Sequence, residues 1–261
     1  MIHLRAILFN VGYFGFTAAM VIFGLPFLCR RRWAVWYSER WTDVLVAWLK
    51  VTVGLDHVIV GRENLPSEPY IIAAKHQSAF DTLVLNRLAH DPAIVLKREL
   101  TLIPIFGWYL VRPGHIVVDR KAGASAVRKL IAQARSVVAE GRSIAIFPEG
   151  TRGPVGGSLP YQPGVAALYS QLGIPLVPVA LDSGLFWRRN SFGKQPGRIV
   201  IEILPPINPG LDRRYVLGEL ERRIETATAK LLAAQTGPIM PVDNLVDNKP
   251  VTGHSGESSG A

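Results

Sequence analysis

His76 and Asp81, five positions apart in His76-Gln77-Ser78-Ala79-Phe80-Asp81, are the pair in this chain best suited to moving a proton. An imidazole that donates from one nitrogen to a carboxylate is held in a single tautomer, and its other nitrogen is free to take a proton from an alcohol. Side chains five apart on a straight helix point roughly 140° away from each other at 3.6 residues per turn, so the two cannot meet if both are mid-helix. The histidine must therefore precede the helix. With Ser78 as the N-cap, Asp81 becomes the third helical residue and its carboxylate can reach back toward the entering chain. The positive end of that helix would also favour a neutral imidazole, the form that accepts a proton. Taken alone, the same residues also fit a capping box beside a surface histidine.

A second run, Phe147-Pro148-Glu149-Gly150-Thr151-Arg152, has the residue types of an anion site. Arg152 can clamp a phosphate through paired donors, Thr151 can add a hydroxyl or backbone donor, and Glu149 can orient the arginine or a substrate hydroxyl. Gly150 supplies a backbone conformation that other residues resist, which also fits a plain charged turn after a strand. Arg120, closing His115-Ile116-Val117-Val118-Asp119-Arg120, is a second candidate phosphate ligand, or else a solvated arginine paired with Asp119. Both clusters follow apolar runs, and the ends of strands are where open α/β sheets keep their ligand crevices.

The elements that must position these groups alternate in period. Strands are expected over 57–60, 70–74, 93–96, 115–118, 143–147, 176–181 and 198–204, and helices over 79–88, 124–140, 164–172 and 212–234. The alternation predicts an α/β domain with a mixed, mostly parallel sheet flanked by helices. With 261 residues, 49% of them hydrophobic, the chain can bury a sizeable core. Its division is expected at an N-terminal helical segment over 1–55, an α/β domain over 56–237, and a polar, Gly/Ser-rich tail over 238–261 expected to be disordered.

Residues 6–29 contain no charge, long enough to cross a bilayer core, which takes roughly 20 apolar residues. The run is too long for the apolar region of a signal peptide and lacks a small-residue cleavage site, so it reads as a retained membrane anchor. Arg30, Arg31 and Arg32 outweigh Arg5 on the other side, which places the rest of the chain on the cytoplasmic side of the membrane. Trp33, Trp36, Tyr37 and Trp41 would form an interfacial aromatic belt. A second apolar stretch over 44–55, interrupted by Lys50, suits an interfacial helix or the return arm of a hairpin. A spanning helix and a half-inserted hairpin are both compatible with this pattern.

The formal charge of +9 predicts anionic partners, among them nucleic acid, anionic lipid and phosphorylated small molecules. No nucleic-acid motif occurs, and the basic residues are scattered rather than interleaved with aromatics, which argues against nucleic acid. Cys29 is the single cysteine, and His57, His90 and His115 lack ligand-like spacing, so no metal is expected. A serine hydrolase is disfavoured because no Gly-x-Ser-x-Gly elbow is present.

Four motifs in order resemble those of the glycerolipid acyltransferases: His76 to Asp81, Gly114-His-Ile-Val-Val-Asp-Arg120, Phe147 to Arg152, and Val177-Pro178-Val179. Lys97-Arg98-Glu99-Leu100 followed by Ile103-Pro104-Ile105-Phe106-Gly107-Trp108 further resembles the lysophosphatidate branch, over roughly residues 55–205. The resemblance implies transfer of an acyl chain from acyl-coenzyme A or acyl carrier protein to the sn-2 hydroxyl of lysophosphatidate, without a bound cofactor or acyl-enzyme. It implies His76 as the base and Asp81 as its orienter. Lys97, Arg120, Glu149, Gly150, Thr151 and Arg152 would form the acceptor side, and Pro178 would shape the donor side. Related acceptors such as glycerol 3-phosphate or a lyso-ornithine lipid would share these motifs. Many members have Asn before the histidine, whereas this chain has Lys75, expected either to perturb His76 or to help hold an anionic substrate.

Overall fold

The computed structural model describes residues 2–67 and 69–236. The expected tail over 238–261 lies outside them.

All the apolar runs expected as strands enter one seven-stranded sheet, in the order β1-β7-β6-β2-β5-β3-β4. The strands are β1 (Leu55–Val60), β2 (Ile71–Ala74), β3 (Ala93–Lys97), β4 (Ile116–Val118), β5 (Ile144–Ile146), β6 (Leu176–Leu181) and β7 (Gly197–Ile203). The pairs β4-β3, β3-β5, β5-β2, β2-β6 and β7-β1 are parallel, and only β6-β7 is antiparallel. The central strands β2, β5 and β6 are buried along their whole length. Burial on both faces explains why they read as unbroken apolar runs rather than alternating ones.

Helices cover the two faces. On one side lie α1 (Ile2–Phe23), α2 (Arg31–Val53) and α3 (Ala79–Val84), whose apolar residues join a core containing Phe9, Leu45, Phe80, Ile72 and Ile201. On the other lie α6 (Ala124–Ala139), α7 (Pro163–Leu172) and α9 (Arg213–Thr236), packed around Leu130, Leu168, Leu220 and Ile224. Three short helices, α4 (Arg98–Thr101), α5 (Phe106–Val111) and α8 (Ser183–Phe186), complete the α-helices among the described residues. They were not expected from the sequence, because four to six residues hold too few turns to show a period.

The N-terminal region is a helical hairpin laid on the domain rather than a separate body. Phe9 is completely buried in the same core as the sheet, and Trp48 Nε1 donates to its carbonyl oxygen. Gly54, with φ +78, ends α2 in the left-handed conformation and turns the chain directly into β1. The expected aromatic belt is divided: Trp33 and Trp36 are exposed, whereas Tyr37 is buried and Trp41 packs on the core. Arg31 is likewise drawn inward, donating to the Pro113 carbonyl and pairing with Asp91 at 2.5 Å. Arg30 and Arg32 remain exposed.

Candidate active site

Adjacent parallel strands bring the two sequence clusters together. Ala73 of β2 is paired with Ile146 of β5, so the carboxyl ends of both strands point the same way and discharge their loops side by side. One loop carries His76, the other Phe147 to Arg152. The chain leaves β2 through Lys75, whose N–H still donates to Val179, and Ser78 adopts an extended conformation before α3 begins at Ala79. The Ser78 capping box forms. It does not compete with the proton-transfer arrangement, because Asp81 serves both: Oδ2 accepts from the Gln77 and Ser78 N–H groups at 2.7 and 2.8 Å and lies 3.0 Å from His76 Nδ1. The sequence spacing therefore produced both readings at once.

Asp81 is buried, and its second oxygen accepts from Ser183 Oγ at 2.5 Å. With both oxygens engaged it can only hold His76 in one orientation, with Nδ1 turned to the carboxylate and Nε2 left for a substrate. The imidazole lies flat on the Phe147 ring, 3.8 Å away with planes 13° apart. Ser183 was missed from sequence because it sits on the short α8, and only the pairing of β6 beside β2 brings it within reach.

At the loop after β5, Gly150 has φ +69, and a Cβ there would stand 2.9 Å from an Arg120 guanidinium nitrogen. Arg120 thus lies over the Gly150 backbone rather than pairing with Asp119. Asp119 instead accepts from Arg98 at 2.8 Å and from the Lys121 N–H, and these bonds hold its carboxyl below the usual range. The two loops are tied by Gly153 N–H donating to the His76 carbonyl at 2.8 Å. His76, Lys97, Arg120, Gly150, Thr151 and Arg152 all line one cavity of about 800 Å³. Its remaining wall is mostly apolar, running between α1, α2 and α5 past Met20 and Tyr109 and over α6 at Leu130.

Three of the expected site residues lie away from the cavity. Glu149 does not orient Arg152 or face the cavity: it is buried, taking Lys75 Nζ and the Leu159 N–H on Oε1 and the His76 N–H on Oε2. Lys75 does not reach a substrate either, because its ammonium is completely buried against Glu149, Glu225 and the Gly157 carbonyl. Pro178 is buried inside the sheet opposite Ala73 and does not line the cavity.

Comparison with known proteins agrees with this geometry. A family model described as Acyltransferase matches residues 57–182. The 1-acyl-sn-glycerol-3-phosphate acyltransferase of Pseudomonas aeruginosa is 32% identical over 224 residues, covering 86% of this chain and 84% of that protein. The chain belongs to the acyltransferase family. The yeast (Saccharomyces cerevisiae) 1-acyl-sn-glycerol-3-phosphate acyltransferase is 29% identical over 217 residues, with 82% of this chain and 70% of that one covered. Among solved structures, the 1-acyl-sn-glycerophosphate acyltransferase PlsC of Thermotoga maritima superposes with a TM-score of 0.74 at 22% identity, over 89% of this chain and 98% of that one.

Proposed function

We propose that the protein is a 1-acyl-sn-glycerol-3-phosphate O-acyltransferase, making phosphatidate from lysophosphatidate and an acyl thioester. The observation that carries the reading is the His76-Asp81 pair opening, together with Arg120 and Arg152, into one apolar-walled cavity. An acceptor with an anionic head and a long chain fits such a wall better than glycerol 3-phosphate does. His76 Nε2 takes the proton of the sn-2 hydroxyl as its oxygen attacks the thioester carbonyl. The tetrahedral adduct then expels the thiolate, which takes the proton back from His76. Arg120 and Arg152 hold the phosphate, with Lys97 and Thr151 beside them. The reading assigns no metal and no bound cofactor; the donor is acyl-coenzyme A or acyl carrier protein.

The site is supplied from a lipid surface. The segment His3–Phe23 is long and apolar enough to cross a membrane. Its middle, however, is docked on the domain: Asn10 Oδ1 accepts from the Lys194 ammonium at 2.9 Å, and Phe9 is in the core. A lysine held at mid-helix would have to enter the hydrocarbon if α1 spanned it, at a cost of several kcal/mol. We therefore infer a half-inserted hairpin that presents Leu4, Val11 and Phe14 to one leaflet, with the catalytic domain on the cytoplasmic side. Acyl transfer from labelled donors to lysophosphatidate by purified protein, beside glycerol 3-phosphate and His76→Ala controls, tests the assignment. His76-dependent phosphatidate formation is the expected result, and transfer to glycerol 3-phosphate alone would replace the acceptor.

A further inference from the structure

The position before the histidine carries a lysine with no access to solvent, and every polar contact of its ammonium is internal. Lys75 Nζ donates to Glu149 Oε1 at 2.8 Å, to the Gly157 carbonyl at 3.0 Å, and to Glu225 Oε1 and Oε2 at 2.8 and 3.0 Å. Glu225 comes from α9, 150 positions along the chain, and also accepts from Tyr161 Oη at 2.9 Å. Glu149 spends its other oxygen on the His76 N–H, and Gly153 packs so closely on the carboxylate that a Cβ there would stand 2.8 Å from Oε1. The chain of contacts thus runs from α9 through Lys75 and Glu149 to the backbone of the base and to the loop that carries Arg152.

We infer that Lys75 and Glu225 are positioning residues for acyl transfer, fixing the Glu149 carboxylate that ties His76 to the Phe147-to-Arg152 loop. The inference rests on the acyl-transfer reading. The charged and titratable groups facing this centre are Glu149, Glu225, Glu221, Tyr161 and His76, and among the described residues Lys75 is the one cation in contact with Glu149 and Glu225. The Tyr161 hydroxyl is pushed up by burial and then by Glu225, Glu149 and Glu221, which reflects the excess of negative charge around it. Removing the lysine leaves a buried carboxylate without its counter-charge, and such a group takes up a proton in preference to staying ionised. A protonated Glu149 turns one of its oxygens into a donor and holds the His76 and Leu159 N–H groups more weakly, and the base shifts relative to the phosphate side.

The test is the pH dependence of kcat and KM for lysophosphatidate transfer by full-length protein in detergent, comparing the parent with Lys75→Met, Lys75→Met/Glu149→Gln and Glu225→Gln. Lys75→Met is expected to lower kcat about ten- to a hundredfold, the scale of a 1 Å misplacement, with KM unchanged. Its acid limb should move to higher pH, and the double variant, which cannot protonate at residue 149, should lose that added limb. A Lys75→Met enzyme with the parental kcat and pH profile, or with raised KM and parental kcat, overturns the inference. Should Lys75→Met fail to fold, Glu225→Gln decides: lowered kcat at constant KM supports the role, and parental kcat refutes it. Absence of His76-dependent transfer in the parent would instead overturn the acyl-transfer reading, and this inference with it.

Discussion

Ser183 Oγ and Asp81 Oδ1 are 2.5 Å apart, a buried contact between the start of α8, just past β6, and the first turn of α3. It occupies the one carboxylate oxygen that the backbone and His76 leave free, and so sets the plane in which Asp81 meets the imidazole. Ser183→Ala should lower kcat about two- to tenfold with little change in KM, the scale of one net hydrogen bond. Asp81→Asn, which can offer an N–H where His76 needs an acceptor, should cost on the order of 10²- to 10⁴-fold. Steady-state kinetics on both variants check the ordering.

Gly150 and Arg120 are interlocked through a positive φ and a guanidinium stacked where a Cβ would go. Gly150→Ala should therefore cost ~1–3 kcal/mol of stability from the left-handed backbone and, separately, displace Arg120. The expected signature is a lowered thermal midpoint together with a raised KM for lysophosphatidate. Arg120→Ala should raise KM without the loss of stability, which separates the two effects.

His115 sits in the cavity wall with Nδ1 accepting from the Ile94 N–H. Burial, and after it the charge of Arg142, lower its pKa from an ordinary 6.5 to about 4, with Asp91 opposing and Arg31 adding least. The unfolded chain thus binds a proton at a pH where the folded one does not. Stability contributed by neutral His115 is complete above about pH 6.5 and is lost as pH falls toward about 4. His115→Asn, which keeps an acceptor for Ile94, should flatten that part of the stability curve in denaturant unfolding at stepped pH.

The exposed face of α1 carries Leu4, Val11 and Phe14, while Phe9 faces the core. Val11→Asp/Phe14→Asp should release the protein from vesicles, seen by flotation, yet leave transfer to detergent-dispersed acceptor within about twofold, since neither exposed side chain holds the fold together. Phe9→Asp should unfold the docking of α1 instead and abolish both activities.

Much of this protein was legible from residue order alone. Apolar runs bounded by turn residues located each strand, because burial on both faces of a central sheet forces continuous hydrophobicity. The five-residue spacing from His76 to Asp81 required a helix start between them, and Ser78 supplies it. Charge-free length marked an N-terminal helix long and apolar enough to cross a membrane, because hydropathy is a local sum. What local pattern cannot carry is which strands become neighbours. Only the order β6-β2-β5 brings Ser183, His76 and Phe147 to one place, and only the fold of α9 across the sheet delivers Glu225 to Lys75. The same limit applies to charge: Lys75 and Glu149 look like solvated, ligand-facing groups in the sequence. Their burial against each other is decided by distant chain, since a buried ion depends on partners whose distance in sequence carries no signal.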